Sequence, residues 1–303
     1  MSSLTFFTNL RKGLKHYSFP ILLLLPALIW IFSLSIYPTI DVIRLSFTSD
    51  KVPGVVGPYC GLDNYIRLFK DTRFHMVMRN TFGLAFLELT LRILVALPIA
   101  LLLNEAKKYG ETLCAFLLLP GTISGVVISF IIQWLLNPGY GLVNYYLMTF
   151  GIVSEPFEIT KNMFTAWTGL LIASIWGGFP STVIILFAAL RAIPEDLYES
   201  AKVDGANAFQ RFVHVTLPWL RPTLRYLIIL GTIFGLRGFF IFSYIITKGG
   251  PAGQTEVYGT YLFRTLLNNY QFGYASAMSV FMLILNFIMI ALYLKFFKAR
   301  IYY

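Results

Sequence analysis

Glu88 and Arg92 stand four residues apart inside a long apolar run, a spacing that puts both on one face of a helix. An isolated charge at the centre of a membrane costs about 2.5–3.5 kcal/mol or more. The two therefore read as an ion pair turned into a helix bundle, or as the polar lining of a cavity. Arg237 lies near the middle of another apolar run that holds no acid. It must find a carboxylate elsewhere, with Glu88 the candidate, or face water. Catalytic chemistry is otherwise scarce. No G-x-x-x-x-G-K-[ST] segment occurs to cradle nucleotide phosphates, and no H-E-x-x-H, C-x-x-C or G-x-S-x-G is found. His16, His75 and His214 fall in three separate segments, so no metal site is expected.

The elements that must position these residues are membrane spans. Hydrophobic residues make up 57% of the chain and charged residues 13%, where soluble domains carry about 25% charged. Six windows satisfy the requirement for roughly 20 mostly apolar residues, at about 19–37, 81–103, 113–136, 166–190, 226–247 and 277–297. The first follows Arg11, Lys12 and Lys15 but has no small-residue cleavage site, so it reads as an uncleaved anchor. Residues 1–17 read as a cytoplasmic arm, an amphipathic helix on the headgroups, and 18–303 as one six-span domain. An N-terminus inside places 13 Lys and Arg in cytoplasmic segments against nine outside, a modest bias in the expected direction. Arg44, Lys51, Arg67, Lys70, Arg73 and Arg79 crowd the first outer loop and oppose it. The net charge of +10 is spread over all loops, with no basic aromatic face for nucleic acid. Cys60 and Cys114 fall on opposite sides of the bilayer and cannot pair.

The segment 193–222, IPEDLYESAKVDGANAFQRFVHVTLPWLRP, is the polar exception between two spans. Pro194, Glu195 and Asp196 suit a helix start, and Gly205 suits the left-handed turn that ends it. A second short helix is expected from Ala206 to about Val215, stopping before Pro218, with Asp204 available to cap it. Helices of roughly 11 residues are marginal alone in water, so Leu197, Tyr198, Phe209, Phe212 and Val213 call for a partner surface. Glu199-Ser200-Ala201, Asp204-Gly205-Ala206 and Val215-Thr216-Leu217-Pro218 resemble the EAA coupling loop of bacterial ABC-importer permeases, with Ser200 and Val215 as small departures. Gly61-Leu62-Asp63-Asn64-Tyr65, Asn137-Pro138 with Gly141-Leu142-Val143-Asn144, Trp176-Gly177 and Gly249-Gly250-Pro251 resemble its sugar-importer branch.

The resemblance implies an all-α membrane protein with the type I ABC importer permease fold and cytoplasmic termini in a cell (inner) membrane. It implies a heterodimer with a second homologous permease, two ATPase subunits and an extracytoplasmic solute-binding protein. The chain itself would bind no cofactor, ATP and Mg being used by the ATPases. Glu199, Ser200, Ala201, Asp204, Gly205, Ala206, Leu217 and Pro218 would dock the ATPase. A carbohydrate path is expected along Ser174, Trp176, Gly178, Ser181, Thr232, Arg237, Phe239 and Tyr244. Aromatic rings there would stack on sugar faces while polar groups meet hydroxyls, and close helix packing is the competing role for each. Gly177, Gly178 and Pro180 are expected to break the fourth span. An Arg237–Glu88 network would go with a neutral sugar, and an unpaired Arg237 with an anionic one; the neutral sugar is the expectation. A permease for another solute, an ATP-independent secondary transporter and a membrane enzyme are the rival classes.

Overall fold

The structure is a computed structural model that describes residues 22–50, 55–106 and 108–296. The expected arm at 1–17 lies outside them. Among the described residues the regular elements are helical, with a single isolated bridge between Thr48 and Tyr59. Among the described residues five helices are long and apolar enough to cross a membrane, or six if one bent pair counts as a span. The chain divides into two compact units, the described part of Met1–Leu68 with Asn269–Met282, and Phe69–Asn268 with the described part of Leu283–Tyr303.

In the first unit, α1 (Leu22–Leu45) is exposed on nearly every side and has a wide turn at Phe32–Ile36. The loop behind it is tied down by Asn64 near the start of α2 (Asp63–Lys70). Its amide donates to the carbonyls of Ser46 and Thr48 at 3.0 and 2.8 Å, and Tyr65 meets the Ser46 hydroxyl at 2.7 Å. Gly61 turns the chain into α2 with φ 62°, a value that costs other residues strain.

The second unit is built on α3 (Thr72–Glu105), α7 (Met163–Arg191) and α9 (Ala208–Thr247). Ala96 and Ala100 of α3 are fully buried against Val183 and Leu186 of α7, with Leu220 and Leu227 of α9 in the same cluster. Small residues on one helix let branched ones on the next approach closely, which holds helices together where lipid offers no hydrophobic drive. Between α3 and α7 run α4 (Gly110–Leu117), α5 (Gly125–Leu135) and α6 (Leu142–Thr149). Asn144 folds the loop around α6 by donating to the carbonyls of Leu136, Asn137 and Phe157 and accepting the Phe157 N–H. In the same loop Lys161 lies 2.7 Å from Glu155 and holds its carboxyl below the usual carboxylate range.

Three expectations need correction. The third span is not one straight helix over 113–136: Gly110–Thr122 and Gly125–Leu135 meet at 86°. Pro120 has no N–H to give, and Ser124 starts a fresh helix by accepting the Val126 N–H. The fourth span is not broken: α7 runs unbroken through Gly177, Gly178 and Pro180, and the Thr182 hydroxyl bonds back to the Gly178 carbonyl at 3.3 Å. The helix after Gly205 does not stop before Pro218. It continues from Ala208 to Thr247, so the fifth span begins well before residue 226. A wide turn at Phe212–Thr216, closed by Leu217 N–H to Phe212 O, precedes the proline. Such a turn changes the spacing of carbonyls ahead of the residue whose ring would otherwise clash with one.

α8 (Glu195–Val203) precedes α9, and α10 (Tyr258–Phe263) and α11 (Phe272–Phe296) follow it. The segment between α9 and α10 is anchored by Glu256, whose side chain is fully buried. It accepts from Arg73 Nε at 2.8 Å and Arg264 Nη1 at 2.7 Å, while its backbone carbonyl accepts from Asn80.

Candidate functional site

A cavity of about 230 Å³ lies between α3, α5, α7 and α9. Its polar wall is the pair seen in the sequence. Arg92 Nε lies 3.3 Å from Glu88 Oε1, and Glu88 is 4% exposed. The Nε–H is not aimed at that oxygen, so the contact is ionic and this nitrogen makes no hydrogen bond. Ser174 lines the same cavity beside this pair. Two glycines make room for the arginine: a Cβ on Gly178 would stand 3.0 Å from Arg92 Nη1, and one on Gly231 3.0 Å from Nη2. The apolar wall is Ile128, Phe234, Phe239 and Phe242. A carboxylate, a guanidinium and a hydroxyl facing aromatic rings can hold a polyhydroxylated ligand by hydrogen bonds on one side and ring contact on the other.

The structure sorts the expected path residues. Ser174, Gly178 and Phe239 line the cavity, although Phe239 is 2% exposed and serves as wall. Trp176 is half exposed outside it, its ring 6.0 Å from Phe179, and Ser181 is exposed on α7. Thr232 does not reach the cavity; its hydroxyl donates to the Ile228 carbonyl and meets Tyr293 Oη at 2.8 Å, tying α9 to α11. Tyr244 is 41% exposed and packs on Phe240 and Phe263. Arg237 does not join Glu88. It is exposed, and among the described residues it has no ion-pair partner. The expected three-member network is therefore absent among the described residues: Glu88 is buried against Arg92, while Arg237 is on the exposed side of α9. Gly231, Phe234, Gly235 and Phe242 were missed in the sequence, where nothing local distinguishes them from packing residues.

The second candidate surface is the loop at 193–222. Glu199, Ser200, Asp204 and Gly205 are exposed, with Ala201 and Ala206 half-buried beside them. Gly205 has φ 79°. Its N–H bonds to Lys202 O at 3.0 Å and the Ala206 N–H to Ala201 O at 2.9 Å, the paired bonds that close a helix through a left-handed residue. Asn207, and not Asp204, caps the next helix, in a reciprocal pair with Gln210. Leu217 and Pro218 sit inside α9 and not at a helix end. The Tyr198 hydroxyl lies 2.8 Å from Thr216 Oγ1, which joins α8 to α9. Val203 is 87% and Phe209 73% exposed, so the loop presents apolar side chains at its surface.

The family model for binding-protein-dependent transport system inner membrane components matches residues 92–301. The trehalose/maltose transport system permease protein MalF of Thermococcus litoralis is 33% identical over 95% of this chain and 97% of its own. The sulfoquinovosyl glycerol transport system permease protein SmoG of Agrobacterium fabrum is 29% identical over 92% and 90%. A crystal structure of a bacterial ABC transporter that imports the acidic polysaccharide alginate matches with a TM-score of 0.84 at 25% identity, over 97% of this chain and 100% of that one.

Proposed function

This chain belongs to the binding-protein-dependent transport system inner-membrane family, and from that premise we propose how it works as the permease subunit of a carbohydrate ABC importer. Relatives named for trehalose and maltose and for sulfoquinovosyl glycerol, and the alginate importer among solved structures, support a carbohydrate as cargo. The observation that carries the mechanism is the continuity of α9. One helix of 40 residues joins the exposed loop to the cavity wall at Phe234, Gly235, Phe239 and Phe242. At 1.5 Å per residue it is about 60 Å long. A push on the loop is thus delivered to the wall along one continuous helix.

In this reading the loop at 193–222 and both termini face the cytoplasm. Two ATPase subunits, using ATP and Mg, bind the surface of Glu199, Asp204, Val203 and Phe209. A second, homologous permease completes the membrane part, and an external solute-binding protein delivers the sugar. Closure of the ATPases moves α8, Tyr198 carries the motion to Thr216, and α9 turns the cavity outward. Hydrolysis releases the loop and returns the cavity inward. The test is cross-linking of Val203→Cys in the complex purified with the permease and ATPases encoded beside it. The expected product adds one ATPase chain and changes in yield with nucleotide. A loop that cross-links to no ATPase in any nucleotide state contradicts the docking role.

A further inference from the structure

Arg237 is the charge that the cavity leaves without a counter-charge, and its surroundings decide what must supply one. Tyr226, Leu230, Phe234, Arg237 and Ile241 follow at intervals of four, four, three and four residues within the regular helix Leu217–Phe242. At about 100° per residue they fall within an arc of about 80°, which is one face. Tyr226 is 51% and Phe234 60% exposed, Arg237 is exposed, and Leu230 and Ile241 are partly exposed. We propose that this face of α9 is the seam with the second permease, and that Arg237 forms an intramembrane ion pair with an Asp or Glu of that subunit. The proposal rests on the two-permease reading above and adds the surface and the chemistry that join the two.

Depth, charge and neighbours select this occupant. Arg237 lies midway along the apolar stretch 226–247, about 15 Å from either end at about 1.5 Å per residue. An arginine at that depth is costly against lipid and turns to water or to an acid. The residues one turn before and after it on the face, Phe234 and Ile241, are apolar. They suit a dry seam between helices better than a water-filled path. This chain spares no acid for the arginine. Glu88 is the one acid in the six apolar windows, and Arg92 lies 3.3 Å from it. Among the described residues Arg237 has no ion-pair partner. The carboxylate therefore comes from another chain. There it neutralises the arginine and fixes the register of the two helices, as a single polar contact does in an apolar seam. Phe234 also lines the cavity beside Glu88 and Arg92, so the partner's helix closes the open side of the polar pocket.

The test uses the complex purified through a tag on this chain, with the permease and ATPases encoded beside it. Retention of the second permease is followed over a dilution series in detergent. Arg237→Gln should weaken that retention about tenfold or more, because the partner's carboxylate is left unpaired. Arg237→Lys should keep most of it. In the Arg237→Gln background, changing one Asp or Glu in the partner's spans to its amide should restore retention, and changing the others should not. In a Cys60→Ser, Cys114→Ser background, Ile241→Cys should resist a charged, water-borne thiol reagent while the complex is intact. Full retention by Arg237→Gln, failure of every partner amide to restore it, or a partner permease with no acid in its spans overturns the ion pair. Rapid labelling of Ile241→Cys in the intact complex assigns the face to a water-filled path and overturns the seam. A wild-type complex that contains no second permease refutes the two-permease reading itself, and the seam with it.

Discussion

Substitution of Gly205 separates backbone strain from side-chain contact more cleanly than any other change in the loop. A Cβ built there meets nothing within 4 Å, and φ is 79°. A new side chain therefore costs conformation alone, about 1–2 kcal/mol in the left-handed region. Against this stand the two bonds that need the turn, Gly205 N–H to Lys202 O and Ala206 N–H to Ala201 O. At about 0.5–1.5 kcal/mol each they nearly balance the strain. Gly205→Ala should leave a mixture of turned and unturned loops. Gly205→Val, with its branched Cβ, should favour the unturned form, and Gly205→Asn, which tolerates this region, should stay close to wild type. The assay is ATPase activity of the reconstituted importer stimulated by loaded binding protein, read beside membrane yield. Stimulation should fall in the order Asn, Ala, Val, several-fold by the last, at unchanged yield. Equal stimulation in all three would refute the argument that this turn places the docking surface.

Two further outcomes follow from the buried charges. Glu88→Gln leaves Arg92 without its counter-charge and should destabilise the purified complex by about 3–5 kcal/mol, whereas the double variant Glu88→Gln with Arg92→Met should recover most of it; thermal unfolding in detergent reads both. Glu256→Gln weakens the hold on Arg73 and Arg264 together, and proteolysis should then cut the segment 248–257 faster than in wild type, while an unchanged cleavage rate would show that the two arginines do not anchor it.

The sequence made the spans legible because a membrane demands long apolar runs, and the demand is local. The Gly205 turn was legible for the same reason: one residue type satisfies one dihedral angle. Pro218 was misread because its local meaning is a stop, and only the wide turn five residues long ahead of it converts the stop into a passage. Thr232 was misread because its partner, Tyr293, lies 61 residues away. Gly231 was invisible, since its role is to leave room for Leu89 first and then for Arg92. Asn64, Asn144 and Gly249 stood in motifs that carried the family resemblance, yet here they fold loops. Asn64 and Asn144 bond backbone carbonyls, and Gly249 turns at φ 77° beside Glu256 and Arg264.

Uptake of labelled oligosaccharide into proteoliposomes, containing this chain with its partner permease, ATPases and binding protein, tests the central claim most directly. Accumulation should require ATP on the ATPase side and loaded binding protein on the other. It should be lost when Glu199→Lys reverses the charge of the docking loop, with the complex still inserted. Accumulation without ATP, or unaffected by that reversal, would contradict an importer driven through this loop.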